Sequence, residues 1–354
     1  MVTRAIKILF ATLIIGAALV AFILYTSLKP VAKSDDDAVR VSIPHSSTTE
    51  DIGEILYDKG LIKNRTVFRL MTKVKGVGTD FGTGTYDLAR SMDMNEIIDK
   101  ITSGEQTGDL KFVVPEGSEI TQMAEILKGL NMENTDEFIA LTKDPSKYVS
   151  DYPFLKDVPE GYSLEGYLYP ATYYLTEEDI KNPDAIIRLM LDNFNTHFTD
   201  EIQKAGEKEG LNINEIVTLA SLVEREAQVD SDRPLISAVF QNRLKDDMYL
   251  QSCASVQYII GERKPVLSLS DIEIDSPYNT YQNGGLPPAP IASPGVKSLE
   301  AAVHPADVDY MFFIAKGDGT HVFSSTFEEH LEVQKKIQNE GGEITETAPQ
   351  QQTE

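Results

Sequence analysis

The chain has 354 residues, with 32 Lys and Arg against 56 Asp and Glu, a formal net charge of −24. That acidity excludes nucleic acid as a natural partner, and a single cysteine, Cys253, excludes an internal disulfide framework and a thiolate metal cage. There is no Trp, so aromatic packing and sugar stacking fall to 15 Tyr and 14 Phe.

Ile8 to Leu28 is a charge-free apolar run, matching the roughly 20 residues a helix needs to cross a bilayer. Arg4 and Lys7 precede it, which predicts a cytoplasmic N-terminus and a chain otherwise outside the membrane, although Lys29 and Lys33 follow it. A cleaved signal peptide is the rival, but the run exceeds a typical h-region and no small-x-small site follows. A single-pass transmembrane anchor over residues 1–28 is therefore expected. Residues 29–40, with Asp35, Asp36 and Asp37, make a solvated linker.

An internal repeat follows. Ile43-Pro44-His45-Ser46-Ser47 leads into Asp51-Ile52-Gly53-Glu54-Ile55-Leu56, and Val114-Pro115-Glu116-Gly117-Ser118 leads into Gln122-Met123-Ala124-Glu125-Ile126-Leu127. Each copy predicts a strand, a turn and an amphipathic helix, then a second short helix. Gly84 to Leu88 predicts a further strand and Asn95 to Ile101 a further helix. Small α+β units of this kind resemble LysM-type glycan-binding modules, so residues 41–160 are expected to form a LysM-like repeat region, with a plain structural spacer as the other reading.

Residues 161–338 are expected to form a mixed α+β catalytic domain, making the whole chain α+β. It opens on Ser163-Leu164-Glu165-Gly166-Tyr167-Leu168-Tyr169-Pro170, aromatic and acidic, with Pro170 stopping any helix. Asp184 to His197 is amphipathic. Glu215 to Val229 then predicts the most informative helix, with Asn212 and Glu215 as a capping box. On the helical wheel Glu226 falls between Leu219 and Leu222, inside the apolar arc, and Glu224 falls near Val217 at its edge; Thr218, Ser221 and Arg225 form a polar back. An acid inside an apolar stripe tends to keep its proton, which is what a general acid requires. A buried Glu paired with an Arg is the bland alternative.

Asp230 to Pro234 breaks the chain, and a second helix buries Leu235, Ile236, Val239, Phe240 and Leu244. A short apolar helix around Val256 to Ile260 follows. The stretch Gly284 to Gly295 is too rich in proline and glycine for regular structure, and long ordered loops usually carry function. Ser298 to Val303 is a short helix. Tyr310 to Ala315 and Thr320 to Phe323 predict a hairpin about Gly317-Asp318-Gly319, and a last helix starts near Thr326. Residues 339–354 are polar and expected to be disordered.

No dinucleotide or phosphate loop, H-E-x-x-H or nucleophile elbow is present. The five histidines are scattered, so no metal is expected; nor is a cofactor, since no cofactor-lysine context is recognisable. One well-placed acid, further acids nearby, many Tyr and Asn, and a tethered outside location suit glycoside chemistry on a cell-wall polymer.

L-A-S-L-V-E-R-E at 219–226, N-R-L at 242–244, L-Q-S at 250–252, Y-N-T-Y at 278–281, G-L-P-P-A-P-I-A-S-P-G at 285–295 and A-A-x-H-P at 301–305 resemble the YceG-like family, the endolytic murein transglycosylases of the MltG type. The resemblance runs over roughly Val41 to Gln338. It implies that Glu226, the second acid of the E-x-E pair, is catalytic. Glu165, Gln251, Asn279, Tyr281 and His304 are expected to bind substrate, with residues 278–281 and 285–295 forming a wall of the glycan groove, or on the other reading a rigid structural cap. Many relatives carry Asp-Pro-Thr where this chain has Cys253-Ala254-Ser255, which leaves no acid at 253.

The reaction so implied is a lytic cleavage of peptidoglycan between N-acetylmuramic acid and N-acetylglucosamine. One acid protonates the bridging oxygen, the muramic 6-hydroxyl closes a 1,6-anhydro ring, and water is not a reactant, so a second carboxylate is not required. The resemblance also implies cleavage of nascent strands at the cell membrane, with penicillin-binding proteins and the wall-synthesis machinery as partners. A muramidase using Glu226 with Glu224 or Glu165, and a non-catalytic wall-binding scaffold, are the rivals.

Overall fold

A computed structural model of the chain describes residues 10, 15, 16, 18, 19, 21–43, 47–77, 81, 84–103, 110–264 and 266–339. The chain divides into two compact units, Met1–Phe112 with Tyr173–Asp179, and Val113–Thr172 with Ile180–Glu354.

In the first unit β1 (Ala38–Ile43) and β2 (Gly84–Ala89) pair antiparallel, from Ala38 opposite Ala89 to Ile43 opposite Gly84. Arg40 faces Asp87 in that register and donates to it at 3.0 Å. Helices α1 (Thr49–Asp58) and α2 (Arg65–Lys75) lie between the strands in sequence, and α3 (Met94–Thr102) follows them. Each start is capped: Thr48 with Asp51 and Asp93 with Glu96 form capping boxes, and Asn64 accepts from Thr66 and Val67. The period-2 residues Val41, Tyr86 and Leu88 and the helical residues Ile52, Leu56, Phe68, Ile97 and Ile98 close one core.

Two sequence expectations are corrected here. Among the described residues no helix is long and apolar enough to cross a membrane. Eight of the 21 residues of the Ile8 to Leu28 run lie outside the described residues. Its end, residues 21–28, is helical, but Leu24 and Leu28 pack against the core of the first unit, and Lys63 donates to the Thr26 carbonyl at 3.4 Å. Those side chains are spent on protein rather than on lipid. Nor do residues 41–160 form a LysM-like run. The second copy's strand, β3 (Leu110–Val113), pairs with the distant β4 (Thr172–Leu175), while its helices α4 (Ile120–Gly129) and α5 (Thr135–Thr142) belong to the second unit. There α5 packs on α6 (Pro183–His197), and Phe138, Tyr148, Tyr167 and Phe194 are fully buried. Residues 340–354, where the disordered tail is expected, lie outside the described residues.

The second unit is built around α8 (Ile213–Glu226). It packs on α7 (Asp200–Lys208), α9 (Arg233–Lys245), α10 (Cys253–Ile260) and, most extensively, α12 (Val296–Val303). A short α11 (Leu269–Ile272) leads from α10 toward the Pro-rich loop. The predicted hairpin forms as β5 (Phe312–Ala315) and β6 (His321–Ser324), with Phe312 opposite Ser324, and α13 (Phe327–Asn339) follows. The approach of α7 to α8 depends on Gly206, where a Cβ would lie 2.2 Å from Ile216 Cδ1.

Gly166, in the aromatic-acidic stretch, has φ +87, and a Cβ there would lie 2.4 Å from Pro290 Cβ. Gly166→Ala therefore combines a strained backbone with a collision in a packed interior, and should cost about 3 kcal/mol. The expected observation is a lower urea midpoint at an unchanged slope.

Candidate active site

No residue of α8 is exposed. The capping box forms as expected: Glu215 N–H donates to Asn212 Oδ1 at 2.9 Å, and Asn212 N–H to Glu215 Oε2 at 2.8 Å. Thr218 and Ser221, read as part of a polar back, are fully buried, because that side of the helix receives the Pro-rich loop. Asn214 Nδ2 donates to the Pro288 carbonyl at 2.9 Å, Ser221 Oγ accepts from Ile291 N–H at 3.1 Å, and Glu224 Oε2 accepts from Gly295 N–H at 2.9 Å. The loop thus runs along α8 in the same direction as the helix. Its prolines carry no N–H, and of its few donors Ser293 N–H reaches the Ser118 carbonyl at 2.9 Å. A segment with so few backbone donors can be buried without regular structure.

The two acids at the end of α8 have different surroundings. Glu224 forms a buried ion pair with Arg233 at 3.1 Å, and Arg233 also donates to Ser298 Oγ and pairs with Asp230. Between the two acids, Arg225 pairs with Glu119 at 2.7 Å, both side chains largely buried. Glu226 is the last helical residue, since Ala227 is already extended, and helix dipoles disfavour negative charge at this end. Glu226 is 6 % exposed, and Ser252 donates its hydroxyl hydrogen to Oε1.

Ser252 is itself held firmly. Its N–H donates to Thr280 Oγ1 at 3.0 Å, its carbonyl accepts from Ser255 Oγ at 2.9 Å, and Ser255 Oγ lies 2.8 Å from Thr280 Oγ1. Gln251 precedes it in a left-handed conformation at φ +50, its N–H on the Thr280 carbonyl at 3.1 Å. Arg243 of the N-R-L motif donates to the carbonyls of Tyr249 at 3.1 Å, Leu250 at 2.9 Å and Met311 at 2.7 Å. Burial pushes its guanidinium down to about 10, which still leaves it charged at neutral pH. Asn242 donates to the carbonyls of Val308 and Tyr310.

The other residues expected to bind substrate are distributed around this centre. Tyr281 is 8 % exposed with its hydroxyl 3.3 Å from Cys253 Sγ. Burial pushes its phenol far above the usual range, and the charges of Cys253 and Glu226 act in the same direction. Asn279 is fully buried and its amide serves the backbone: Nδ2 donates to the carbonyls of Ile272 and Ile274, and Oδ1 accepts from Tyr281 N–H at 3.0 Å. Glu165 is buried, its two oxygens 3.1 and 3.3 Å from Ile120 N–H. Burial pushes its carboxyl up to about 8, against the lowering effect of that N–H. His304 is exposed and lines a separate open cleft of about 430 Å³ with Asp230, Arg233, Lys297 and Glu300. Among the described residues no group of His, Cys, Asp and Glu could hold a metal ion; His321 instead pairs with Asp232 at 3.0 Å.

Sequence reasoning singled out L-Q-S without finding the contact between Ser252 and Glu226, which joins residues 26 apart in the chain. It also missed that the second repeat copy supports α8, through Glu119 on Arg225 and Gly117 N–H on the Ser293 carbonyl at 2.8 Å. The only available signal was the charge of each residue, and a charge does not name its partner.

Residues 41–336 match the YceG-like family. The chain is 37% identical over 319 residues to an endolytic murein transglycosylase of Bacillus subtilis (strain 168), covering 87% of each protein. It is 32% identical over 331 residues to an endolytic murein transglycosylase of Streptococcus pneumoniae (strain D39), covering 86% of this chain and 59% of that longer one. The crystal structure of a YceG-like protein from Listeria monocytogenes, 33% identical, superimposes with a TM-score of 0.59 over 84% of this chain and 99% of that one.

The environment of Glu165 sets a pH dependence. Its folded-state value, about 8, lies above the value of about 4.3 for an unfolded Glu. Between the two the unfolded chain releases the proton and the native chain keeps it, so stability falls as pH rises through this window. Glu165→Gln should remove that part of the slope, seen as a smaller loss of urea midpoint from pH 5 to pH 8 than in the wild type.

Proposed function

We infer, since the chain belongs to the YceG-like family, that it is a peptidoglycan lytic transglycosylase, cleaving murein glycan strands internally with Glu226 as its acid and base. The observation that carries the assignment of Glu226 is its place at the end of a buried helix with the Ser252 hydroxyl on Oε1. Protonated Glu226 gives its proton to the oxygen bridging muramic C1 and the next sugar, and the C1–O bond breaks. The muramic 6-hydroxyl oxygen bonds to C1, and its proton passes to the Glu226 carboxylate, which restores the acid. Atoms and charge balance without water.

The neighbouring acids support the one-carboxylate route over a hydrolase. Glu224 is committed to Arg233 and to Gly295 N–H. Glu165 stays protonated at neutral pH, so it supplies no anionic nucleophile. Asn279 and Tyr281 act on this reading from behind, fixing the turn that holds Thr280 against Ser252, and Gln251 through its backbone. A murein substrate places the activity outside the cytoplasmic membrane, with the synthases of nascent strands as the partners implied.

Mass spectrometry of digested, purified glycan strands is the direct check. Wild type should yield 1,6-anhydro-muramic ends, and reducing ends instead would make the enzyme a muramidase. Glu226→Gln should fold and lose about 10²–10⁴-fold in rate; undiminished cleavage would mean that another group is the acid.

Ser252 donates to the carboxylate and so favours the ionised form of Glu226. Ser252→Ala should therefore move the alkaline limb of the pH–rate profile upward while lowering kcat about tenfold at similar KM, and Ser252→Thr should restore both. An unmoved limb in the alanine variant would separate Ser252 from the titration of the acid.

A further inference from the structure

The glycan-cleaving site needs surfaces that grip sugar rings. The Tyr-rich turn 278–281 offers one, but its second tyrosine, Tyr281, is buried against Cys253. Its first tyrosine, Tyr278, is only partly buried and meets two other partly buried tyrosines from separate segments. Tyr258 of α10 lies with its ring centre 5.0 Å away at 56°, and Tyr162 of the loop before the aromatic-acidic stretch lies 6.0 Å away at 68°.

We propose that Tyr162, Tyr258 and Tyr278 form a sugar subsite that seats an N-acetylhexosamine ring of the glycan strand beside the bond being cut; this rests on the reading of Glu226 as the glycan-cleaving acid.

The tilted and edge-on angles matter. Rings stacked face to face would consume each other's faces, whereas these meet at a corner and leave faces for the C–H surface of a pyranose. The phenols of Tyr258 and Tyr278 both feel the buried Glu165 carboxyl. Burial, together with the neighbouring groups, keeps both phenols well above the usual range, so they present neutral hydroxyls suited to sugar hydroxyl and acetamido groups. The fully buried tyrosines 148, 167 and 173 offer no such surface. With no Trp in the chain, stacking must come from Tyr or Phe.

The position also suits the chemistry. Tyr281 comes three positions after Tyr278, at most about 10 Å of extended chain, and Tyr281 feels the Glu226 charge. Tyr258 is on the helix that begins at Cys253, next to Ser252. Tyr258 and Tyr278 therefore belong to the two segments, after Ser252 and before Thr280, that hold the acid.

Tyr278→Trp gives the chain its only Trp, so its emission reports on that position alone. Chitohexaose, a neutral oligomer of N-acetylglucosamine, is the probe, and the full chain carrying Glu226→Gln is the background, so that nothing is cleaved. The Trp emission should shift and saturate with sugar. By calorimetry in the same background, Tyr278→Phe should bind within about twofold of the parent, and Tyr278→Leu about tenfold more weakly. If the Leu variant does not fold, as judged by circular dichroism, the Trp reporter decides alone. The subsite is overturned if the emission stays unmoved at sugar concentrations that saturate the parent, or if a folded Leu variant binds as tightly. It is also overturned if the parent binds no chitohexaose while the wild type still cleaves glycan strands. A wild type that releases neither anhydro nor reducing ends overturns the glycan-cleaving reading itself, and the subsite with it.

Discussion

In a helix with no exposed face nearly every polar side chain has to be met by protein, because a buried polar group without a partner costs a large part of its hydration free energy; Thr218 Oγ1 is the exception on α8. α8 carries Asn214, Ser221, Glu224, Arg225 and Glu226 along such a helix. Four parts of the second unit meet them. Asn214 and Ser221 take the Pro-rich loop, Glu224 takes Gly295 and Arg233, Arg225 takes Glu119, and Glu226 takes Ser252. The placement of four distant segments follows from satisfying one helix.

The same requirement separates the acids by role. Glu224 is neutralised by an arginine, and in a buried pair the loss of either partner is costly. Glu165 is protonated because burial outweighs the backbone N–H groups of Ile120 and Gly166. Glu226 receives the Ser252 hydroxyl at the end of the helix, a contact that orients its carboxyl. Chemically identical groups thereby become a structural clamp, a neutral brace and a candidate acid. Little of the chain's net charge of −24 bears on this, since charges in open solvent are screened within about 10 Å.

Around the helix, motifs that look like ligands for a substrate serve as supports. Arg243 and Asn242 hold backbone carbonyls, and Asn279 spends its amide on the turn that carries Thr280. Sites of this kind need such supports, because a reacting carboxyl must be held to within a fraction of an ångström by residues that are themselves locked. Tyrosines 162, 258 and 278 differ from these supports in being only half-buried.

By itself the sequence determined what depends on neighbours along the chain. The capping box at Asn212, the burial of Glu226 on the wheel, the hairpin about Gly317 to Gly319 and the α+β character were legible, because helical and strand periodicities and turn residues act over a few positions. Tertiary structure decided the rest. The Ser221 hydroxyl fits a surface or a buried loop equally well, and only the Pro-rich loop, through Ile291 N–H, settles which. The end of α8 at Glu226 rather than Val229 depends on where the following chain turns back. The apolar residues Leu24 and Leu28 suit a bilayer as well as a protein core, and packing placed them on the latter. The contact of Ser252 with Glu226 joins two motifs far apart in the chain, and periodicity carries no information over such a distance.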